Sequence, residues 1–490
     1  MDIIESGGLF MTNVSRGNVS PGYLYQSADQ LPNSPQATQS QPPDANAPAM
    51  YDVTARADDP YYRAGSRKPS RSLDEMARHI DRRGRRLHDS NGDGVLRLSY
   101  TFNEASANES KFNDTQKDQA RRAMQSWADV ANITFDEDTV GAEGRLRFVN
   151  DKTPAVADAV FLRYQARIRV NSGYADNRAP TVNGFERQTL THEIGHTLGA
   201  AHTGDYDATR GPVAYETHAA YAQDSRAYSV MSYFAPGNTH HDFNGQYASS
   251  PLMADIAWCQ RVYGANHHTR NTDTTYGFNS NTQRDDLSLN SSRDGAVFCV
   301  WDGGGNDTLD FSGYHQNQVI NLRAQSFSDV GGMKGNVSIA KGVVLENAIG
   351  GSGNDVLIGN DADNRLKGGA GADRMRGGAG SDTFVYDNAG DSTLYAPDQL
   401  VDFVSGQDII DISSLLRRHS IDSLTFVSQL TGRAGEVGVG YDPQTNESWV
   451  VLDLTGNGEI DFYLESRGQI GHADIVGDVP VSYRYAYAVA

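Results

Sequence analysis

Apolar and polar residues in the first half of the chain follow helical and strand-like periods in turn. A helical pattern begins at Ser72, and Glu75 three residues later completes a predicted capping box. Further periodic segments are strand-like at 95–103 and 133–149 and helical at 115–132 and 185–201. We therefore expect one domain of mixed helices and strands that ends near residue 265.

The second half of the chain has a different pattern, because Gly, Asn and Asp separate short apolar pairs after about residue 270. Residues 350–385 contain four nine-residue units, GGSGNDVLI, GNDADNRLK, GGAGADRMR and GGAGSDTFV, and a weaker copy begins at Asp302. Each unit predicts a tight turn followed by a very short strand. The apolar eighth position should point into a narrow core: Leu357, Leu366, Met375 and Phe384. Residues 400–470 return to ordinary alternating strands.

Composition narrows the possible functions. The 490 residues have a formal net charge of −20, which argues against nucleic acid or an anionic membrane as the main partner. Only 2 cysteines occur, Cys259 and Cys299, so a disulfide scaffold is excluded, and this pair can be either bridged or free. Residues 1 to about 72 are polar and predict a disordered segment or a removable leader. Without a long apolar stretch or an N-terminal signal peptide, these features alone indicate the cytosol.

One window, THEIGHTLGAAH at 191–202, has the spacing of a metal site. His192 and His196 are four residues apart and share one helix face, so both can bind one ion. Glu193 lies one step along and can reach a water held by that ion. Gly199 allows the chain to turn, which brings His202 back to the same ion. Three neutral imidazoles with an open position are typical of a catalytic zinc site, and chance rarely produces this pattern.

A second segment, SVMSYF at 229–234, supports that interpretation. It matches the Met-containing turn that follows the HExxHxxGxxH pattern in metzincin proteases. Met231 is expected to form an apolar base beneath the metal ligands. Tyr233 can either bind zinc in the resting state or donate a hydrogen bond to an oxyanion. Taken alone, a Met-Ser-Tyr sequence indicates core packing more often than a metal site.

The repeats have the chemistry of calcium sites, since Asp carboxylates and backbone carbonyls are hard oxygen ligands. The second unit has Asn364 in place of Asp, and Asn360 and Ala362 in place of Gly, so a weaker or carbonyl-only site is expected there. Rows of Asp repel one another without a cation, and we therefore expect this region to fold when Ca²⁺ binds. Because cytosolic Ca²⁺ is too low for weak sites, the repeats indicate a secreted protein and reverse the cytosolic expectation.

Together these motifs predict a secreted zinc endopeptidase that cleaves extracellular proteins, with Glu193 handling the proton of the attacking water. The alternative is a Ca²⁺-dependent adhesin or binding protein with an inactive protease domain, against which the intact Glu193 argues. A lipase of the repeat class is excluded because the chain contains no GxSxG sequence.

These residues resemble the serralysins, secreted zinc metalloproteases of Gram-negative bacteria. The resemblance covers about residues 72–476 and includes SLDEMARHI, ERQTLTHEIGHTLG, AQDSRAYSVMSY and DFVSGQDIIDIS. It implies a multidomain α+β protein with a leader or propeptide at 1–71 and a metzincin zinc protease domain at 72–265. A Ca²⁺-binding parallel β-roll and β-sandwich, with the secretion signal, would occupy 266–490. It also implies type I secretion, protein or peptide substrates and a monomer.

The resemblance carries residue roles with it. It implies that one zinc is bound by His192, His196, His202 and Tyr233, with Glu193 as the catalytic base and Tyr233 assisting catalysis. For several Ca²⁺ ions the implied residues are Arg270, Thr272, Thr274, Asp302, Gly304, Gly305, Asp307, Glu346, Gly351, Gly353, Asp355, Asn360, Ala362, Asn364, Gly368, Gly369, Gly371, Asp373, Gly377, Gly378, Gly380, Asp382, Asp391 and Asp398. Around the third histidine, Ala200 and Thr203 stand where the family usually has Leu and Pro.

Overall fold

The computed structural model describes residues 68–84, 86–154, 156–162, 164–206 and 211–484. Most of the leader expected at 1–71 therefore lies outside the described residues. Its last four residues are ordered, in contrast to the disorder that their composition predicts. The Ala222 N–H donates to the Pro69 carbonyl over 3.0 Å, and the Arg71 N–H donates to the Gln223 side chain over 3.1 Å.

Before the repeats, the described chain forms α-helices around a five-stranded sheet. The helices are α1 (Leu73–Ile80), α2 (Asp114–Val130), α3 (Phe185–Leu198), α4 (Tyr215–His218) and α5 (Met253–Tyr263). The strands are β1 (Leu96–Thr101), β2 (Ile133–Glu137), β3 (Gly144–Asp151), β4 (Ala157–Leu162) and β5 (Gln165–Asn171). Their order is β2-β1-β3-β5-β4, and only β4 runs antiparallel to its neighbour. The predicted start of α1 is confirmed, because the Ser72 N–H donates to Glu75 over 2.8 Å.

The contact between α2 and α3 fixes the helix that carries the histidine motif. Trp127 of α2 is fully buried, and its indole N–H donates to the Thr191 carbonyl over 3.0 Å. A Cβ at position 195 would lie 3.0 Å from the Trp127 ring, so Gly195 allows the two helices to approach this closely. The sequence motif thus has a packing function as well as a chemical one.

The repeat half consists mainly of short strands. These are β6 (Thr275–Gly277), β7 (Phe298–Val300), β8 (Thr308–Asp310), β9 (Val319–Asn321), β10 (Phe327–Ser328), β11 (Val337–Ile339), β12 (Asn347–Ile349), β13 (Val356–Ile358), β14 (Arg365–Lys367), β15 (Arg374–Arg376), β16 (Thr383–Val385), β17 (Asp398–Leu400) and β18 (Ile409–Asp411). After helix α6 (Ser413–Arg418) follow β19 (Leu424–Val427), β20 (Glu436–Asp442), β21 (Glu447–Asp453), β22 (Phe462–Arg467), β23 (Ile475–Val476) and β24 (Val481–Arg484).

Successive nine-residue units place their strands in two different parallel sheets, as in a β-roll. Strand β13 pairs with β15, and β14 pairs with β16, so Leu357 lies beside Met375 and Leu366 beside Phe384. All four side chains are completely buried. The prediction of a turn, a short strand and an inward eighth residue is therefore confirmed.

The strands that follow the repeats extend both of these sheets. Strand β22 pairs with β17, and β23 pairs with β18, each in parallel. The strands expected to form a β-sandwich therefore belong to the same two sheets as the strands of the roll. Helix α6 lies where only strands were predicted, and its Leu415 and Leu416 are completely buried.

Buried charges join the two halves of the described chain. Asp129 near the end of α2 accepts hydrogen bonds from Arg270 over 2.9 Å and from Arg284 over 2.8 Å. Burial opposes ionisation, yet the bond from Arg284 and the charge of Arg270 hold the pKa of Asp129 below its ordinary value. This arrangement ties α2 to the segments on either side of β6.

None of the helices in the described ranges is long and apolar enough to cross a bilayer.

Candidate metal centre and repeat cation sites

Three imidazoles converge at the end of α3. His192 and His196 lie one helical turn apart, and their ring centroids are 4.6 Å apart. Gly199 ends the helix with φ of 107°, and the chain then returns His202 to within 4.7 Å of His196, again between ring centroids. A possible ligand atom of each ring lies within 4.8 Å of the others. The predicted turn at Gly199 is confirmed.

Backbone carbonyls fix the protonation of all three rings. The Nδ1 atoms of His192, His196 and His202 face the carbonyls of Val230, Ala200 and Tyr206 over 2.7, 2.8 and 3.2 Å. A carbonyl oxygen only accepts, so each Nδ1 carries the hydrogen and each Nε2 keeps its lone pair. The Nε2 atoms of His196 and His202 are 3.1 Å apart. Two lone pairs at this distance repel each other, and a shared cation removes the repulsion, so this donor set fits zinc.

The electrostatic environment keeps the three rings neutral. Burial lowers the pKa of His196 to about 4 and that of His202 to about 3. Burial and the two neighbouring histidines lower the pKa of His192 well below its ordinary value. Near neutral pH all three rings are therefore in the unprotonated form that binds a metal ion.

Glu193 points into the same region without a protein partner. Its side chain is buried, and its Oε2 atom makes no hydrogen bond to any residue that the structure describes. Burial raises the pKa of Glu193 to about 8, and the negative charge of Asp158 adds to this rise. A buried carboxyl oxygen left free in this way is suited to hold a water or to exchange a proton with one.

A cleft opens beside Glu193. Its cavity has a volume of about 760 Å³ and is lined by His192 and Glu193, by Tyr233, and by apolar side chains that include Phe185 and Val213. Strand β4 borders the cleft through Ala157 and Asp158 and pairs on only one side with a described strand, β5. The free edge of β4 can pair with an extended peptide by main-chain hydrogen bonds.

The Met-containing turn lies directly against the motif helix. Met231 is completely buried, and a Cβ on Gly195 would lie 2.8 Å from its sulfur atom. The absence of a side chain at 195 therefore lets Met231 pack against the motif helix one residue before His196. The ring of Tyr233 lies 4.4 Å from that of His202, measured between centroids, so Tyr233 also stands at the cluster.

Sequence reasoning missed two buried carboxylates that hold this turn. Asp255 accepts hydrogen bonds from the Ser229 hydroxyl over 2.5 Å and the Val230 N–H over 2.8 Å. Asp224 accepts a hydrogen bond from the Ser232 hydroxyl over 2.8 Å. No local pattern in the sequence marks either Asp, because each acts on residues that are remote along the chain.

The first repeat group brings its predicted residues together. The Asp307 carboxylate lies beside that of Asp302, and its Oδ1 accepts a hydrogen bond from the Thr274 N–H over 2.8 Å. The Glu346 carboxylate accepts one from the Asp307 N–H over 2.7 Å. A Cβ on Gly305 would lie 2.7 Å from the Thr272 carbonyl oxygen, which shows how closely these loops approach. Arg270 enters this group with a φ of 48°, while Gly303 and Gly304 complete the turn after Asp302.

The later units form two further groups. The Asp373 carboxylate accepts from the Asp355 N–H over 2.7 Å, and the Asp398 carboxylate accepts from the Asp373 N–H over 2.8 Å. Gly369 and Gly371 stand so close to the carbonyls of Gly351 and Gly353 that a Cβ would collide with them. Asp391 accepts from the N–H groups of Asp387 and Asn388 in its own loop.

In the other sheet, the Asp382 carboxylate accepts from the Asn364 N–H, and Gly378 and Gly380 approach Asn360 and Ala362. The last predicted glycines, Gly368 and Gly377, contact the side chains of Asp373 and Asp382.

Crowded and partly unpaired carboxylates make these groups candidate cation sites. One oxygen each of Asp307 and Asp373 is buried without a hydrogen-bond partner among the described residues. Burial raises the pKa of both, and neighbouring carboxylates raise it further: Asp302 and Glu346 act on Asp307, while Asp355 and Asp391 act on Asp373. Burial also raises the pKa of Asp355 to about 6 and that of Asp382 to about 7. Hard oxygen atoms in surplus fit Ca²⁺.

The second unit differs from its neighbours because side-chain amides stand where the other units have a carboxylate and a glycine. The side-chain amide of Asn364 donates to the Glu346 carbonyl over 3.1 Å and to the Leu345 carbonyl over 3.3 Å. The amide of Asn360 donates to the carbonyls of Leu322 and Leu345 over 3.1 and 2.7 Å. These two amides therefore bond to carbonyls outside the unit and leave those of Asn360 and Ala362 to other groups. The weaker or carbonyl-only Ca²⁺ site expected at Asn360, Ala362 and Asn364 stays a prediction.

The two cysteines do not form a disulfide bond with each other. Cys259 and Cys299 are both buried, and both are free thiols. Burial raises the pKa of the Cys299 thiol to about 12, and burial together with the charge of Asp255 raises that of Cys259 well above its ordinary value. Neither is therefore available as a thiolate ligand near neutral pH.

Two sequence families match the chain on either side of residue 265. Residues 87–244 match "Metallo-peptidase family M12", and residues 265–477 match "Peptidase M10 serralysin C terminal". Together with the histidine cluster at the end of α3, these matches define the class of the protein, a zinc metalloendopeptidase.

Individual relatives show to which family of zinc metalloendopeptidases the chain is similar. The chain is 50% identical to "Metalloprotease AprA" of Pseudomonas entomophila (strain L48) over 442 residues, 84% of this chain and 91% of that protein. It is 48% identical to "Serralysin C" of Dickeya chrysanthemi over 75% of this chain and 80% of that protein. It is 47% identical to "Serralysin" of Photorhabdus luminescens over 76% and 83%, respectively. The chain belongs to the serralysin family.

The raised pKa values of the repeat carboxylates predict an unusual pH dependence of stability. Without Ca²⁺, the folded repeats bind more protons than the unfolded chain between about pH 7 and about pH 9, above the titration of histidine. The free energy of unfolding should therefore fall as the pH rises, by up to about 1.4 kcal/mol per pH unit for each such proton. Saturating Ca²⁺ should abolish this fall, because it keeps the carboxylates ionised.

Urea unfolding at several pH values, with and without Ca²⁺, measures this dependence. Asp373→Asn is the matched variant, since a neutral amide cannot titrate, and it should flatten the curve recorded without Ca²⁺. A free energy of unfolding that rises with pH in the absence of Ca²⁺ would contradict the interpretation of these carboxylates.

Proposed function

We propose that the chain is a secreted endopeptidase that hydrolyses peptide bonds in extracellular proteins by Glu193-assisted attack of water. The observation that carries the proposal is the juxtaposition of three Nε2 lone pairs with the partnerless, buried Glu193 carboxylate beside an open cleft. The three imidazoles would hold a metal ion, and the Glu193 carboxylate would move a proton.

His192, His196 and His202 would hold the zinc, and Tyr233 stands close enough to the cluster to take part. Bound zinc supplies Lewis-acid polarisation of the scissile carbonyl and lowers the pKa of water at the site. The Nδ1 bonds to Val230, Ala200 and Tyr206 orient the three rings for this task.

Glu193 takes the proton of the attacking water and then delivers it to the leaving amine. Its Oε2 atom has no donor among the described residues, and the charge of a bound zinc would lower the raised pKa, so the ionised carboxylate is available for both transfers. The Tyr233 phenol donates a hydrogen bond to the oxygen on which negative charge develops. The substrate lies extended along the free edge of β4, with one side chain in the apolar part of the cleft near Val213.

The repeats bind Ca²⁺ and fold with it. The first site group consists of Arg270, Thr272, Thr274, Asp302, Gly304, Gly305, Asp307 and Glu346. The others consist of Gly351, Gly353, Asp355, Gly368, Gly369, Gly371, Asp373, Asp391 and Asp398, and of Gly377, Gly378, Gly380 and Asp382. The buried oxygens of Asp307 and Asp373 support this assignment, since ionised carboxylates that lack partners destabilise the folded state until a cation binds.

Ca²⁺ dependence in turn favours an extracellular site of action. Weak oxygen sites fill at the millimolar Ca²⁺ concentrations outside cells but not in the cytosol. We therefore place the protein outside the cell as a monomer, exported by a type I apparatus through its C-terminal part. The segment 1–71 serves as leader or propeptide, 72–265 as protease domain and 266–490 as roll and sandwich.

Glu193→Gln tests the catalytic assignment. The amide keeps the volume of the side chain but cannot accept a proton, so kcat should fall by roughly 10²–10⁴-fold. Zinc content and the free energy of unfolding should stay close to those of the unaltered protein. The measurement is casein hydrolysis together with metal analysis of the same sample.

Glu186→Gln provides the control, because Glu186 lies in the first turn of the same helix. It should retain full activity. Normal casein hydrolysis by Glu193→Gln would end the proposal.

Asn364→Ala tests the distinction between the second unit and its neighbours. We expect the number of Ca²⁺ ions per chain to remain unchanged, while unfolding becomes easier by about 1–3 kcal/mol because the Leu345 and Glu346 carbonyls lose their donors. Ca²⁺ is counted by atomic emission after equilibrium dialysis of the full chain. Asp373→Ala, the equivalent change in the next unit, should lose bound Ca²⁺. Loss of one ion from Asn364→Ala would show that the asparagine unit is a cation site.

A further inference from the structure

The turn that carries Tyr233 is connected to the turn that carries His202 by one buried carboxylate. Asp224 is completely buried, and its Oδ1 atom accepts three hydroxyl hydrogen bonds. The donors are Thr203 over 2.5 Å, Ser232 over 2.8 Å and Tyr206 over 3.0 Å. Its second oxygen receives a longer bond, 3.4 Å, from the Ala220 N–H. A single side chain therefore gathers donors from two separate segments.

Two of these donors are immediate neighbours of the candidate metal-site residues in the chain. Thr203 follows His202 directly, and Ser232 precedes Tyr233 directly. A shift of either hydroxyl therefore moves the backbone that carries an imidazole or a phenol. Asp224 itself is too far along the chain, 21 residues from Thr203, to serve as a local cap.

Tyr206, the third donor, packs against both His202 and Tyr233. Its ring stacks on the His202 ring at 5.5 Å between centroids and 18° between planes, and it lies 5.1 Å from the Tyr233 ring. Its carbonyl accepts the Nδ1 hydrogen of His202, and its hydroxyl oxygen accepts a long bond, 3.4 Å, from the Tyr233 N–H. The position of this ring is thus set at its far end by Asp224.

We propose that Asp224 is a positioning residue for the peptidase reaction: through Thr203, Tyr206 and Ser232 it holds the His202 ring and the Tyr233 phenol in one fixed relation. It touches neither the substrate nor the candidate metal position. The inference rests on the proposed roles of His202 and Tyr233, and it adds the group that sets the distance between them. Residues that orient metal ligands through hydrogen bonds, without contacting the metal, commonly contribute about 10–100-fold to metal affinity or activity.

The test replaces the donors one at a time in the full-length enzyme. Thr203→Val removes the hydroxyl at nearly constant volume, and Thr203→Ser restores it. We expect Thr203→Val to lower kcat about ten-fold or more on a quenched fluorescent peptide, with KM little changed, and to weaken zinc binding by a similar factor in competition with a chelator. Thr203→Ser should return both quantities to within about two-fold of the unaltered enzyme.

Thr197→Val is the matched control. Thr197 is equally buried on α3, and its hydroxyl donates to the Ile194 carbonyl over 2.7 Å without contact to Asp224. It should lower the denaturation midpoint as Thr203→Val does, but leave kcat and zinc affinity unchanged. If Thr203→Val does not fold, Tyr206→Phe carries the same test, since it keeps the ring and removes the hydroxyl that bonds to Asp224, to the Thr203 hydroxyl and to the Tyr233 N–H.

Three results would overturn the proposal. One is normal kcat and zinc affinity in Thr203→Val or Tyr206→Phe, and another is failure of Thr203→Ser to restore them. The third is an equal loss in Thr197→Val, because the effect would then be one of general stability. Failure of the proposed function is seen separately, as casein hydrolysis retained by Glu193→Gln.

Discussion

The structure of the protease half depends on the repulsion between three nitrogen lone pairs that face one another in a buried space. Because Val230, Ala200 and Tyr206 take the Nδ1 hydrogens, the rings cannot relieve this crowding by donating to each other. A cation at their centre resolves the conflict, and the surrounding packing keeps the rings in place. The left-handed turn at Gly199 and the contact of Met231 with Gly195 both serve this end.

The same physical logic governs the repeat half, with oxygen in place of nitrogen. Asp307 and Asp373 bury carboxylate oxygens that the described part of the chain leaves without donors, so a hard cation is needed to balance them. The asparagine unit is the informative exception, since its neutral amides carry no charge to balance and donate to backbone carbonyls instead. One chain thus contains a nitrogen-rich cluster in the protease half and oxygen-rich clusters in the repeats, and the ion pairs of the buried Asp129 with Arg270 and Arg284 link the two halves.

Local patterns predicted the features that depend on local spacing. The capping box at Ser72, the turn at Gly199 and the inward eighth position of each repeat follow from residues a few positions apart. Contacts between residues far apart along the chain could not be predicted from such patterns. Asp224, whose donor Thr203 is 21 residues away, and Asp255, whose donor Ser229 is 26 residues away, bond to residues that no local spacing connects with them. Helix α6 was missed because its two buried leucines, Leu415 and Leu416, are adjacent in sequence and carry no helical period. The free state of Cys259 and Cys299 likewise required the fold.

X-ray absorption at the zinc edge, combined with metal counting on the active enzyme, tests the central claim most directly. The account predicts about one zinc per chain, surrounded by nitrogen and oxygen atoms, with the multiple-scattering signature of three imidazoles. Substituting His202 by Ala should remove one imidazole from that signature. A fully active preparation without zinc, or zinc bound to sulfur, would contradict it.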